Sequence, residues 1–344
     1  MHSFMRKKIK IGVFYGGISP EHEVSLVSAD GVISNLDKNR FFVKEFFIDK
    51  KGSFWTGKDL LRSMMKNKKT KMQMVDLNKL VNTIDVAFPV MHGQGGEDGL
   101  IQGFFETLQI PFVGSSVCSS AICLDKSLFN QLMDNNGILK PRFVTIDFVR
   151  QTKIEQIKSI NIIKKAFQFP VFVKPSRTGS SVGISRVVKF EDLLTAVDLA
   201  KKIDDKIVVE EAVNDCKEIE VAVLGNSVVD YAVSKPGRII PANDFYDYND
   251  KYKENKTRFE LPVRLSASKI KEIQSIALQA YKLANCRGLA RVDFLLDRKD
   301  KVFLNEINTM PGFTPISMYP KLWEISGLSY KNLLTKLILL ALKK

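Results

Sequence analysis

The feature that most constrains this chain is an early alternation of short apolar runs with helical patterns, in which two runs end in glycine. Ile9–Tyr15 (IKIGVFY) reads as a strand that stops at Gly16-Gly17, and a helical pattern follows from about Glu23 to Leu36. Further strands are expected at Val43–Asp49, Ile84–Met91 and Pro111–Val113, with a helix over Asp98–Leu108. Strands that alternate with helices point to a parallel α/β sheet. Open sheets of that kind bind ligands outside the carboxyl ends of their strands. Gly16-Gly17 and Gly93-Gln94-Gly95-Gly96 both fall at that edge. The chain has no Gly-x-Gly-x-x-Gly, so the dinucleotide fingerprint is missing.

With 344 residues the chain exceeds one ordinary core and is expected to form two or three domains. The first is expected over 1–118. A small central unit over 119–209 has helices at Lys126–Asn136 and Glu191–Lys202 around strands at Val171–Lys174 and Ile184–Val188. The remainder, 210–344, takes strands at Ile219–Leu224, Ala290–Leu296 and Val302–Ile307, and helices at Ser268–Asn285 and Tyr330–Leu342; a strand at Ile207–Glu210 leads into it. Residues 236–262, rich in Pro, Asn, Asp and Tyr, read as a long irregular segment, the usual composition of a functional lid.

Composition excludes several classes. No apolar run approaches the ~20 residues that span a bilayer, and the basic start from Met1 to Lys10 lacks the apolar stretch of a secretory signal. Cys118, Cys123, Cys216 and Cys286 form no Cys-x-x-Cys pair and are read as reduced thiols of a cytoplasmic protein. The net charge of +14 raises nucleic acid as a partner, but the lysines are scattered. The one dense run, Lys66–Lys71, reads as a solvated loop without interleaved aromatics. Neither nucleic acid nor membrane is expected as a partner, and the charge suits an anionic small substrate.

Four motifs carry chemistry. Arg291 and Asp293 alternate on one strand and so share a face, as do Glu306 and Asn308 on the next. If the strands pair, Asp293, Glu306 and Asn308 become three oxygen ligands suited to Mg2+; a surface charge pair on an ordinary hairpin is the alternative. The run from Lys174 to Gly183 (KPSRTGSSVG) sets a lysine before a small-residue turn whose N–H groups can close over phosphate. It is not a Walker loop, and a plain flexible hairpin competes with that reading. Gly16–Ser25 (GGISPEHEVS) offers Glu21 and Glu23 either to a substrate ammonium group or to the dipole of a helix first turn. His92–Gly99 (HGQGGEDG) brings an imidazole, two carboxylates and four glycines to a strand end.

With FYDYNDKY (Phe245–Tyr252) and RVDF…NEINTMPGFT, these segments occur in the order found in the D-alanine:D-alanine ligase family of ATP-grasp enzymes, which the chain resembles from Gly16 to Pro320. The resemblance implies an α/β fold: an N-terminal parallel-sheet, Rossmann-like domain followed by a two-part ATP-grasp fold. It implies ATP-dependent joining of two D-alanine molecules through D-alanyl phosphate for peptidoglycan precursor synthesis, with two Mg2+ ions (or Mn2+) and a cytoplasmic homodimer. Carried over position by position, Lys126, Lys174 and Lys251 resemble lysines at the phosphates, and Ser181 and Leu295 join the nucleotide contacts. Glu210, or Glu211 because the spacing to Glu218 is one residue long, resembles the adenine contact, and Glu218 the ribose contact. Asp293, Glu306 and Asn308 are similar to the metal ligands. Glu21 resembles the residue on the first D-alanine, with Ser180 and Tyr252 its partners and His92 nearby. Arg291 and Gly312 resemble the groups that stabilise the tetrahedral intermediate, and Ser317 and Met318 those at the second carboxylate. Tyr246, Tyr248, Lys251 and Tyr252 fall in the family's lid. Tyr252 favours D-alanine over D-lactate in the second position, because ester-forming members depart from this pattern.

Overall fold

The computed structural model describes residues 7–66, 68, 70–240 and 258–343. The N-terminal part contains β1 (Ile9–Gly16), α1 (His22–Asn35), β2 (Phe41–Ile48), β3 (Phe54–Thr56), α2 (Leu60–Met65), β4 (Gln73–Met74), α3 (Leu77–Leu80), β5 (Val86–Pro89) and α4 (Leu100–Thr107). Its sheet has the order β4-β3-β2-β1-β5. β1 runs parallel to β2 and β5, but β3 and β4 are antiparallel additions, so the expected parallel sheet is mixed at one edge. The connection explains this. Parallel neighbours need a crossover of a dozen or more residues, whereas β2 reaches β3 through a tight turn in which Asp49 Oδ1 accepts from Lys51 N and Ser53 N. The expected strand at Pro111–Val113 is reduced to a parallel bridge between Ala87 and Phe112; Pro111 has no N–H to extend it.

The middle of the chain forms α5 (Val117–Leu124), α6 (Lys126–Asn135), β6 (Phe143–Asp147), α7 (Lys153–Ala166), β7 (Val171–Pro175), β8 (Ser185–Val187), α8 (Leu193–Lys201) and β9 (Lys206–Glu211). Its four strands pair antiparallel in the order β6-β9-β7-β8. β9 belongs wholly to this sheet, so a boundary between residues 209 and 210 cuts through a strand.

The third part has β10 (Lys217–Leu224), β11 (Ala232–Val233), β12 (Gly237–Ile240), β13 (Arg258–Glu260), α9 (Ala267–Leu283), β14 (Leu289–Leu296), β15 (Val302–Asn308), α10 (Met318–Glu324) and α11 (Tyr330–Leu342). Its sheet runs β13-β12-β10-β14-β15, with β11 on β10. The ends of the segment expected to be irregular, 236–262, are thus strands β12 and β13, paired to each other. Residues 241–257 lie outside the described ones.

The last two helices cross back to the first sheet. Leu333, Leu337 and Ile338 of α11 are fully buried in one core with Val13, Tyr15 and Phe88. α9 covers the third sheet, burying Ile273, Ala277 and Ala280 against Val221, Val292 and Leu304. Among the described residues no helix is long and apolar enough to cross a membrane.

Candidate functional site

A cavity of about 740 Å³ opens where the three sheets meet. The N-terminal part contributes Glu21 at the start of α1 and, beyond β5, His92 and Glu97. Glu21 is buried, and the Ser180 hydroxyl donates to its Oε1 across 159 residues of sequence. His92 is also buried: Nε2 meets Ser28 Oγ at 2.9 Å, and Nδ1 lies 3.3 Å from the Met310 carbonyl and 3.8 Å from Glu97 Oε1. Burial lowers its pKa, and its contacts tie the 310–313 loop to α1. Phe313 N donates to the same Ser28 Oγ.

The β7–β8 turn supplies Thr178, Ser180 and Ser181. Its base is clamped: Asp125 accepts from Ser176 Oγ and Lys206 Nζ, each at 2.7 Å, and Asp204 accepts from Arg177 N at 2.7 Å. Its tip has Ser180 and Ser181 at φ 50° and 58°, a left-handed backbone that favours glycine. Lys126, at the start of α6, reaches the turn and donates to Thr178 O at 2.5 Å. Lys174 on β7 contacts Glu210 on β9 at 2.5 Å; Asn130 of α6 donates to the other Glu210 oxygen at 2.7 Å. Burial would raise the Glu210 pKa, but the Lys174 and Lys140 ammonium groups outweigh it and hold the carboxyl at about 2. Lys140 itself is pushed down to about 7 by burial, against the pull of Glu210. Both Glu210 and Glu211 line the cavity; Glu211 is partly turned to Gln168 N, from which it accepts at 2.8 Å.

The third sheet forms the opposite wall. Glu220, Asp293 and Glu306 lie directly across from one another on β10, β14 and β15. Like charges opposite each other on neighbouring strands are destabilising, so this row needs positive charge. Arg291 supplies part of it: Nε and Nη2 donate to the two Asp293 oxygens at 2.8 and 2.6 Å, and Nε lies 3.2 Å from Glu220. Burial works against the guanidinium charge, yet Asp293 and Glu220 hold its pKa well above the ordinary value. Glu97 is pushed up to about 8 by burial, and by the charges of Glu21 and Glu306. Asn308 is opposite Arg291, and its Oδ1 accepts from Met310 N at 2.8 Å. Among the described residues no three or more His, Cys, Asp or Glu side chains converge as a ready metal cluster. The set from the sequence is two carboxylates and an amide, and its surplus of negative charge and hard oxygen donors fit a divalent cation.

Beyond β15 the chain turns through Gly312, where an added Cβ would stand 2.6 Å from Ser317 Oγ. Ser317 Oγ accepts from Thr314 N at 3.0 Å, and Ser317, Met318 and Gly312 all line the cavity. Glu218 and Leu295 line it as well. The residues assigned site roles from the sequence, where described, thus line one cavity; Glu23 instead pairs with Lys50 on the surface, and Asp98 accepts from Gly95 N within its own loop at 2.7 Å. Lys251 and Tyr252, with Tyr246 and Tyr248, lie outside the described residues. Sequence reading passed over Glu220, although its alternation with Glu218 on one strand could have marked it. It also passed over Lys140, for which no local signal exists.

Two family models match the chain, the D-Ala D-Ala ligase N-terminus over residues 10–115 and its C-terminus over 132–339. The chain belongs to the D-alanine–D-alanine ligase family. The D-alanine–D-alanine ligases of Caldicellulosiruptor bescii and Clostridium novyi are 43% and 41% identical to it, each over 98% of this chain and over 96% and 99% of their own lengths. Among solved structures, the D-Ala:D-Ser ligase VanG of Enterococcus faecalis superposes with a TM-score of 0.87 at 33% identity, covering 97% of this chain and 100% of that one. The Coxiella burnetii D-alanine–D-alanine ligase gives 0.82 at 34%, over 97% and 94%. The expected fold, a Rossmann-like sheet followed by a two-part ATP-grasp unit, is that of these ligases.

Proposed function

We propose that the cavity takes ATP and two D-alanine molecules and joins the amino acids into D-alanyl-D-alanine for peptidoglycan precursor synthesis, forming ADP and phosphate. Family membership carries the reaction; one observation carries its location. Glu21 and Ser180, Lys126 and Lys174, and the Arg291–Asp293–Glu306–Asn308 hairpin face a single cavity.

A carboxylate resists attack by an amine because oxide is a poor leaving group. Phosphorylation removes that obstacle. The first D-alanine, its ammonium held by Glu21, attacks the γ-phosphorus of ATP, and ADP leaves. The amine of the second D-alanine then attacks the acyl carbon of D-alanyl phosphate, and phosphate leaves. Phosphoryl transfer asks for positioning and charge neutralisation. Lys126, Lys174 and Lys251 provide both on the nucleotide side, with Ser181 and Leu295 as further contacts, Glu218 at the ribose and Glu210 or Glu211 at the adenine. Two Mg2+ ions, replaceable by Mn2+, would be held by Asp293, Glu306 and Asn308 and would neutralise phosphate charge. Arg291 and the Gly312 N–H donate to the oxyanion, an effect often worth about 3 kcal/mol per donor. Ser317 and the Met318 N–H hold the second carboxylate. By family resemblance the segment between β12 and β13, with Tyr252, is the lid, whose role would be to exclude water while the acyl phosphate exists.

The division into 1–118, 119–209 and 210–344 is supported by three separate sheets, with the second boundary better drawn after Glu211. The assembly is a cytoplasmic homodimer, testable by light scattering. The deciding experiment is phosphate release from ATP and Mg2+ with D-alanine alone or with D-serine or D-lactate added, and products identified by mass. D-alanyl-D-alanine as the main product fits this reading. A D-alanyl-D-serine or ester product would move the second-site preference, as the similarity to the D-Ala:D-Ser ligase allows. Absence of release under every condition would overturn it.

A further inference from the structure

β15 carries one residue more than its partner. Asp293 stands opposite Glu306 and Phe294 opposite Leu304, so Asn305 faces no residue on β14. The insertion reverses the phase of the strand. Leu304 is buried in the core below the sheet, while Glu306 and Asn308 line the cavity. In a regular strand Leu304 and Glu306, two residues apart, would point to the same side. The bulge therefore turns Glu306 toward the cavity, and it frees the Asn305 carbonyl from the ladder.

The Asn305 carbonyl is part-buried, and a backbone carbonyl taken even partly out of water calls for a donor. The segment before β6 provides it. Leu139 O accepts from Leu304 N at 2.9 Å, and Lys140 Nζ donates to Asn305 O at 2.6 Å. Lys140 is only 6% exposed, and its ammonium lies 4.5 Å from the centroid of the Phe129 ring. It does not line the cavity. Burying an ammonium group is costly, and Glu210 already has Lys174 and Asn130 as partners. We propose that Lys140 is a positioning residue: by holding the Asn305 carbonyl in the bulge, it fixes the direction of Glu306 as a cation ligand. This rests on the reading of Glu306 given above.

The test measures binding of Mn2+ to the full-length protein with saturating ADP by electron paramagnetic resonance. Outer partners of metal ligands usually matter by 10–100-fold in affinity, so Lys140→Met is expected to raise the half-saturating Mn2+ concentration about tenfold. Its affinity for ADP without cation is measured alongside, because Lys140 also faces Glu210; a loss of ADP binding as large as the loss of Mn2+ binding overturns the inference. Lys140→Gln keeps an N–H donor without the charge and is expected to stay within about threefold of the parent. A Lys140→Met protein that melts cooperatively and binds Mn2+ like the parent overturns the inference. If that variant does not fold, Lys140→Gln decides: parent-like binding supports the role, and a tenfold loss overturns it. Glu306→Gln is the control. If it binds Mn2+ as the parent does, the cation reading itself falls and this inference with it; if it loses binding, the Lys140 results judge the inference alone.

Discussion

At the scale of single residues, the site is a balance of charges held at short range. Glu210 shows the consequence for stability. Its carboxyl has an ordinary value of 4.5 and is held at about 2 in the fold. A lowered carboxylate pKa gives stability that is present above the unfolded value and is lost as pH falls through the folded one. Melting measured between pH 5 and 2 should therefore show a loss of roughly 3 kcal/mol in the parent that is missing in Glu210→Gln. Gly312 makes a steric prediction. A methyl group there meets Ser317 Oγ at 2.6 Å, so Gly312→Ala should displace that side chain. Steady-state kinetics should show the KM for the second D-alanine rising about tenfold or more, since a 1 Å misplacement can cost 10²-fold, with the KM for ATP little changed. The residues legible in the sequence were those with a local pattern: Asp293 and Glu306 through strand periodicity, Lys174 through the small-residue turn. Lys140 was not legible, because its meaning depends on a carbonyl 165 residues away.

Among elements, periodicity was readable where one face is apolar and unreadable where it is not. α9 shows apolar residues at helical spacing and was expected almost to its ends. α7 went unread because Ile154, Ile157 and Ile162 are exposed while Ile163 is buried, which spreads apolar residues around the helix. Its clearest signal was the start, where Thr152 and Glu155 form a reciprocal capping box. The short strands β3 and β4 are edge additions with too few residues to show alternation. Packing between elements yields its own prediction at Gly31 of α1. A Cβ there would stand 2.2 Å from Phe313 O and 2.9 Å from the Tyr330 hydroxyl, which itself donates to Phe313 O at 2.7 Å. Gly31→Ala should push α1 off the loop and cost about 1–3 kcal/mol, as overpacking usually does. Thermal melting reads the loss; an unchanged midpoint would mean that the loop moves freely.

On the scale of the whole molecule, the C-terminal helices complete the N-terminal sheet. This was hidden from sequence, since nothing local says which apolar face covers which sheet. Leu337 is fully buried in that shared core. Leu337→Ala should cost about 2–5 kcal/mol and lower the melting of the N-terminal sheet and of α11 together, seen as one transition by far- and near-ultraviolet circular dichroism. Two separate transitions would show that the parts unfold independently. The bond from Phe313 N to Ser28 Oγ links positions 285 residues apart, and that between His92 and the Met310 carbonyl spans 218. A ribosome adding about 5–20 residues per second thus needs tens of seconds to pass from the first of these partners to the last. From the synthesis of His92 to that of Arg291 the emerging chain carries the glutamate and histidine half of the centre without the carboxylate hairpin and the loop that close it. A half-made chain, or one cut short before that loop, has no complete centre with which to consume the cell's nucleotide.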